Sequence, residues 1–344
     1  MNTTIEDVAR QAGVSTGTVS NALSGKRPVA EATRQRILDA MDKLGYQPNL
    51  LARGLVNQRS HVLSIVITEL RDLGFYGYSS ALIGTQKKAE QLGDSIMLHF
   101  VNGDAQKEII ATLNQIRARQ ADGIVWAVHE IDGNRDWVLN TQMDNYPPII
   151  FINMHSDPTL NVVSIDNQAG ACMAVSHLIQ QGCRKIGIIT GPATWWESKS
   201  RLEGWRRTLE QAGLEPDPSL VVEGNWMADS GKNGMDALLD RHSDIDGVFA
   251  CNDSMALGVM HAVCRRGLSI PSDLLLVGYD NTPETDSYWP PLTSVDQGLL
   301  QAGQKAVEVL YKIIEAERNI QTNPYQHIIQ PELIIRRSSM RDKI

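Results

Sequence analysis

The chain has 344 residues, 42% of them hydrophobic and 21% charged, with a formal net charge of −8. That length favours two or three compact units over one, the apolar share is enough to build cores, and no segment is poor enough in apolar residues to read as disordered. No stretch approaches the roughly 20 uninterrupted apolar residues of a membrane helix, and the acidic start MNTTIEDVARQAGV lacks the basic-then-apolar order of a secretory signal, so a cytoplasmic protein with no membrane partner is expected. The charge is unevenly divided. Residues 1–60 carry eight Lys/Arg against five acids, a balance of +3, which leaves −11 to the remainder. A small basic head on an acidic body implies that only the head meets polyanions. Cys172, Cys183, Cys251 and Cys264 are widely spaced, form no CxxC pair and have no histidine at metal spacing, so free buried thiols are expected, with no metal and no cofactor.

In chain order, the first elements predicted are three short helices. Ile5, Val8, Ala9 and Ala12 recur at helical spacing behind Thr3 and Thr4, with Glu6 and Asp7 suited to the positive end of the helix dipole and Gly13 as the stop. Ser15 reads as the N-cap of a second helix with Val19, Ala22 and Leu23 inward and Gly25 at its end. The third follows Pro28, with Ile37, Leu38, Met41 and Leu44 inward before Gly45. A helix, a three-residue turn containing glycine and a second helix have the form of a helix-turn-helix. From Leu63 onward short apolar runs alternate with amphipathic stretches. Strands are predicted at 63–67, 96–100, 123–127, 149–152, 162–165, 185–190, 247–251 and 274–277, with helices at 81–92, 107–119, 170–181, 201–212, 254–266 and 300–317 between them. Such alternation predicts parallel sheets with helices on both faces, and eight or more strands fit two sheets better than one.

The words of the head go further than its spacing. TIEDVARQAGVSTGTVSNALSGKRPVAEATRQRILDAMDKLGYQPNLLARGL resembles the head and hinge of the lactose-repressor and galactose-repressor (LacI/GalR) family through about the first 55 positions. In the body the resemblance rests on IGIITGP, SKSRLEGW, EGNWMADSG, NDSMALGVM, LVGYDN and PPLTSVDQ, in the family's order. It implies an N-terminal all-α helix-turn-helix head (1–47), a hinge helix and linker (48–61), and a two-lobed, doubly wound α/β body of periplasmic-binding-protein type (62–344). The lobes would be joined by three crossovers, with residues 62–160 and 292–324 in the first and 161–291 and 325–340 in the second. The implied function is a transcription regulator, a repressor in the commoner arrangement. It would bind a pseudo-palindromic double-stranded DNA operator as a homodimer, under the control of a small effector, in the first instance a sugar, held between the lobes. A nucleobase, a sugar phosphate or a protein corepressor in place of the sugar, activation in place of repression, and a sugar-binding protein without DNA function stay open as alternatives.

A recognition helix presents its first residues to base edges in the major groove. Here those are Thr16, Gly17 and Asn21, with Thr4, Ser15, Thr18 and Ser20 available to phosphates; asparagine can pair bidentately with adenine, and threonine offers a methyl to thymine. Many relatives carry arginine where Asn21 stands and a larger residue where Gly17 stands, so an operator sequence is not transferable. By the resemblance Asn49, Ala52, Arg53 and Leu55 belong to the hinge, with Leu55 as an apolar wedge between base steps in the minor groove.

For the effector, a sugar needs planar donors, carboxylate or amide acceptors and an aromatic platform. The resemblance puts Arg201 at an arginine clamp, and Asp253 and Asp280 after strands, where open α/β sheets bind ligands. Trp226 supplies a ring, and Asn153 and Gln297 further polar contacts. Each has a plainer reading: an ion pair of Arg201 with Glu203 or Glu197, a core position for Trp226, a helix cap for Asp253, a turn for Asp280. TELRDLGFYGYSS departs from the family's pattern after the first body strand; its Phe75, Tyr76 and Tyr78 are candidates for an aromatic lip, or for packing of the next helix, and Trp195 and Trp196 could add stacking surface. The chain has no GxSxG elbow, HExxH, Walker loop or GxGxxG after a strand, so catalysis is not expected.

Overall fold

The computed structural model describes residues 3–24, 27–46, 59–68, 76–102, 106–316 and 323–341. The chain divides into two compact units, Met1–His61 and Val62–Ile344.

The first unit contains helices α1 (Ile5–Ala12), α2 (Thr16–Ser24) and α3 (Glu31–Leu44). Thr4 and Asp7 form a reciprocal capping box on α1: the Asp7 backbone N–H donates to the Thr4 hydroxyl at 3.4 Å and the Thr4 N–H to the Asp7 carboxylate at 3.0 Å. The Thr4 backbone, and then its hydroxyl, hold the Asp7 carboxyl below its ordinary pKa by donating to it. Gly13 ends α1 at φ 64°. Ser15 caps α2, its oxygen accepting from the Thr18 N–H at 3.1 Å. Val8, Ala9, Ala12, Val19, Ile37 and Ala40 form the core of this unit. Leu38 is a correction to the inward set: it is 44% exposed, because it lies about 100° around α3 from Ile37.

The second unit is built on two six-stranded sheets. Its strands and helices are β1 (Val62–Thr68), α4 (Tyr76–Gln91), β2 (Ser95–Val101), α5 (Gln106–Ala118), β3 (Gly123–Ala127), α6 (Asp136–Leu139), β4 (Ile149–Ile152), β5 (Val162–Ile165), α7 (Asn167–Gln180), β6 (Ile186–Thr190), α8 (Trp196–Gln211), β7 (Val221–Glu223), α9 (Ala228–Arg241), β8 (Gly247–Ala250), α10 (Asp253–Arg265), β9 (Leu275–Tyr279), β10 (Thr293–Asp296), α11 (Leu299–Ala316), β11 (Gln326–Ile329) and β12 (Glu332–Ile334). The first sheet has the order β11-β5-β4-β3-β1-β2 and is parallel throughout; the second has the order β12-β10-β9-β8-β6-β7, with only β12 antiparallel. In each, the first strand lies inside and the second goes to the edge, so chain order reverses beside the first strand; ligands bind at such switch points, beyond the strand C-termini. The central strands GIVWA, IIFI, VVSI and IGIIT are buried at every position, as strands covered on both faces must be.

The crossings between sheets fall a few residues later than the sequence reading puts them. β5 remains in the first sheet, although 161–165 are expected in the second lobe. β10 lies in the second sheet, although 292–296 are expected in the first lobe, and β11 returns to the first sheet, although 325–329 are expected in the second. Backbone pairing decides this: Val162–Ile165 has its partners in β4 and β11.

Candidate functional sites: the head surface and the body cleft

On the head, Ser15, Thr16, Gly17 and Ser20 are exposed, and Thr18 and Asn21 half-buried. A Cβ at Gly17 would meet only the Ser15 Oγ, at 3.7 Å, so packing does not require glycine there. Thr4 is exposed, but its hydroxyl donates to the Asp7 carboxylate at 2.8 Å. Arg27, Arg34, Arg36 and Lys43 are exposed cations of the same unit. Asn49, Ala52, Arg53 and Leu55 lie outside the described residues, as does Phe75; Tyr76 begins α4, its side chain and that of Tyr78 outside the description.

Within the body, a cleft with about 730 Å³ of empty space, its open mouth included, collects side chains from both sheets. Its walls come from strand ends and helix starts: Ala127, Val128 and His129 at the end of β3, Ile152 and Asn153 at the end of β4, Asn252 after β8, Asp280 after β9, Gln297 after β10, and Trp195, Glu197 and Arg201 from the start of α8. Five sequence-predicted residues therefore meet in one place: Asn153, Arg201, Trp226, Asp280 and Gln297. Asp253 does not line it. Its carboxylate is fully buried and accepts from the Thr282 N–H at 2.8 Å and the Ser294 hydroxyl at 2.6 Å, tying α10 to the loop after β9 and to β10. The residue before it, Asn252, is the N-cap of α10 and faces the cleft. The helix cap thus falls one position earlier than the sequence reading places it, which turns Asp253 inward.

Arg201 is buried, at 4% exposure, and its plane is fixed on three sides. Nε donates to Asn167 Oδ1 at 2.9 Å, Nη1 to the Cys251 carbonyl at 2.5 Å and Nη2 to Gln297 Oε1 at 3.3 Å. The cation sits 3.8 Å from the Tyr279 ring centre and 5.5 Å from that of Trp226. No surface ion pair with Glu203 forms, since Glu203 bonds Arg206 and Arg207. Gln297 in turn donates to the Asp280 carboxylate. Burial raises Asp280 to about 6, against the pull of Arg201, and burial together with the charge of Asp280 raises Asp253 well above its ordinary value.

Glu197, Trp195, His129 and Asn252 complete the wall. Glu197 Oε1 accepts from Asn153 Nδ2 at 3.0 Å and lies 2.8 Å from His129 Nδ1, which joins the two sheets across the cleft. His129 packs on Trp195 at 4.5 Å between ring centres, and Trp195 on Trp226 at 5.6 Å, edge to face. Two buried polar atoms of this wall make no hydrogen bond within the protein: Glu197 Oε2 and Trp226 Nε1. A helical reading one turn back from Arg201 would have found Glu197; for His129 the sequence carries no local signal. Further out, Ile131 and Trp195 pair as an antiparallel bridge, the Asp132 N–H donates to the Thr194 carbonyl at 3.0 Å, the Trp196 N–H to the Glu130 carbonyl at 3.1 Å, and Lys199 meets Asp132 at 2.5 Å. These contacts clasp the segment after β3 to the start of α8.

The cleft backbone is unusual. Asn153, Trp226 and Asp280 have φ of 54°, 71° and 113°, values that non-glycine residues adopt at a cost of about 1–3 kcal/mol each and that gather at ligand sites. Gly191, at the end of β6, makes room for the indole: a Cβ there would lie 2.0 Å from the Trp226 ring.

A model of the lacI family of bacterial regulatory proteins matches residues 4–49, and one of the periplasmic binding protein-like domain matches residues 175–339. Over 320 residues the chain is 32% identical to catabolite control protein A of Priestia megaterium, covering 92% of this chain and 94% of that protein. The chain belongs to the LacI family. It is a DNA-binding transcriptional repressor of that family, with a helix-turn-helix head and a periplasmic-binding-protein-like body. Among solved structures, a lac repressor dimer bound to operator and the anti-inducer ONPF superposes with a TM-score of 0.81 at 25% identity over 99% of this chain and all (100%) of that one. A complex of the regulator CelR with cellobiose superposes with a TM-score of 0.72 at 29% identity over 98% of this chain and 100% of that one. The relatives are regulators rather than enzymes, and among the described residues no helix is long and apolar enough to cross a membrane.

Proposed function

We propose that this LacI-family repressor binds a pseudo-palindromic operator as a homodimer in the cytoplasm, and that a sugar held in the body cleft sets its affinity for DNA. The observation that carries the sugar assignment is the unpartnered pair of buried polar atoms, Glu197 Oε2 and Trp226 Nε1, one acceptor and one donor, beside the aromatic wall of His129, Trp195 and Trp226. Hydroxyls satisfy both atoms, and apolar sugar faces stack on such rings. The CelR structure, solved with cellobiose, supports the same reading. On the DNA side Thr16, Gly17 and Asn21 read base edges, Thr4, Ser15, Thr18 and Ser20 serve phosphates, and the segment 48–61, with Asn49, Ala52, Arg53 and Leu55, forms the hinge. In the cleft, effector contacts come from Asn153, Arg201, Trp226, Asp280 and Gln297, joined by Glu197.

The test is thermal unfolding of the full chain against mono- and disaccharides, sugar phosphates and nucleobases, since a ligand at 100 times its Kd adds about 2.7 kcal/mol of stability. Operator binding is then measured with and without the ligand found. A rise in transition temperature with a sugar, coupled to a change in operator affinity, is the expected result; a rise with nucleobases alone would refute the sugar assignment. For the hinge, Leu55→Ala is expected to weaken operator binding more than binding to random DNA, and equal loss on both would remove the wedge.

A further inference from the structure

The charge balance of the cleft narrows the effector beyond "a sugar". Among the described residues, the ionisable groups that face it are Glu197, Asp280, Arg201 and His129. Arg201, the permanent cation among them, already spends Nε, Nη1 and Nη2 on Asn167, Cys251 and Gln297, and its face on Tyr279. An anionic group on the effector would therefore meet two carboxylates and a guanidinium whose donors are mostly engaged. Three of the helix N-termini beside the cleft, a place where phosphates are held elsewhere, carry a cap or an acid. Asp166 accepts from the Ala169 N–H of α7 at 2.9 Å, Asn252 from the Met255 N–H of α10 at 2.8 Å, and Glu197 stands as an acid in the first turn of α8. Two atoms of the lining residues stay without a partner, one neutral donor, Trp226 Nε1, and one charged-group acceptor, Glu197 Oε2, buried with its residue at 2% exposure.

We propose that the effector is an uncharged, unphosphorylated sugar, and that Glu197 is the residue that enforces this, accepting a hydroxyl through Oε2 and repelling acids and phosphate esters. The inference rests on the sugar reading given above. A carboxylate oxygen buried without a partner loses its hydration with nothing in return, so a hydroxyl donor at that point relieves a cost that an anion would increase. Asp280, after β9 of the same sheet, acts in the same direction.

Matched pairs test it on the full-length protein: glucose with glucose 6-phosphate and gluconate, galactose with galactose 6-phosphate, cellobiose with cellobionate, plus inorganic phosphate and guanine, each by thermal shift and then calorimetry. Expected is that an uncharged sugar binds, that its acidic or phosphorylated counterpart binds at least 30-fold more weakly, and that phosphate produces no shift beyond chloride at equal ionic strength. Glu197→Gln keeps an acceptor for Asn153 and removes the charge; it is expected to narrow the discrimination at least three-fold. A counterpart acid or phosphate that binds as tightly as its parent sugar would overturn the charge filter and leave the sugar reading intact. Unchanged discrimination in a folded Glu197→Gln would remove Glu197 from the role. If no uncharged sugar shifts the transition, whether or not guanine does, the sugar reading fails and this inference falls with it.

Discussion

Arg201→Ala is the substitution whose consequences the cleft geometry specifies most fully. The guanidinium is 4% exposed, so solvent does little to replace what it loses. Its removal takes a donor from Asn167 Oδ1, the Cys251 carbonyl and Gln297 Oε1, with the Tyr279 hydroxyl at 3.5 Å remaining to Asn167 Oδ1, and exposes the ring of Tyr279, itself 0% exposed, to an empty space. Each buried acceptor left unsatisfied costs about 1–3 kcal/mol, so the loss is several kcal/mol in all. Asp280 adds to this, since Arg201 is what opposes the rise of its pKa with burial. At roughly 2–4 °C per kcal/mol in a domain of this size, the transition of the body is expected to fall by on the order of 10 °C. Circular dichroism on wild type and variant measures the fall. Titration with the effector below both transitions then separates folding from binding: the variant is expected to hold operator DNA near normally and to show no effector response. A transition within about 2 °C of wild type, an order-of-magnitude threshold set well below the expected loss, would refute the claim that Arg201 braces the cleft. A full effector response would remove it from the site altogether.

Asp280→Asn tests the electrostatics. A carboxyl whose folded pKa lies near 6 keeps a proton that the unfolded chain, at 3.8, has lost, so its ionisation destabilises the fold progressively as pH rises from about 4 through 6. Asparagine retains an acceptor for Gln297 and removes that penalty, on the order of 2–3 kcal/mol; the variant is expected to melt above wild type at about pH 7.5, with the gap closing by about pH 4, and a gap independent of pH would sink the assignment. Gly191→Ala drives a methyl into the Trp226 indole, 2.0 Å away, so a loss of about 1–3 kcal/mol, a changed tryptophan emission and a weakened effector response are expected together; an unchanged stability, emission and response would mean the loop carrying Trp226 yields freely. In the head, Thr4→Ala removes the hydroxyl cap of α1, worth about 1 kcal/mol, and should let the Asp7 carboxyl titrate at a somewhat higher pH by NMR, since the backbone N–H of residue 4, the larger cause of its lowering, stays and only the hydroxyl's share is lost.

Where local chemistry alone dictates structure, the sequence is readable. Thr4, Gly13, Ser15 and Gly45 bracket the head helices as cap and stop residues do, and GIVWA, IIFI and VVSI coincide with β3, β4 and β5 because short, largely apolar and β-branched runs between turn residues have few other conformations. Legibility falls wherever an element starts on polar residues chosen for the cleft. α7 begins at Asn167 rather than Gly170 and α8 at Trp196 rather than Arg201, since the first turns carry Asn167 and Glu197, which an apolar periodicity does not count. Helix α9 escapes the sequence reading for a related reason: ADSGKNGMDALLDR holds two glycines, and both approach other chain segments, a Cβ at Gly231 falling 2.1 Å from the Met255 carbonyl oxygen. Close packing of α9 on α10, not propensity, makes it a helix.

The cleft marks the limit of such reading most clearly. Residue types identify Arg201, Trp226 and Asp280, but their directions depend on backbone that local rules disfavour: φ at Trp226 and Asp280 is positive, and a sequence in which neither position is glycine offers no reason to expect it. The same holds for Asn252 and Asp253. Both are acceptable caps for α10, and only the tertiary partners of Asp253, Thr282 and Ser294, determine which of the two turns inward and which faces the cleft. Exchanging the pair, Asn252→Asp together with Asp253→Asn, separates these roles. The amide introduced at the inward position could still bond both partners while carrying no charge, whereas the acid introduced at the cap would add a third carboxylate to the cleft. If charge is the filter, the exchanged protein should fold, and it should bind uncharged sugars while rejecting phosphorylated ones more strongly than wild type.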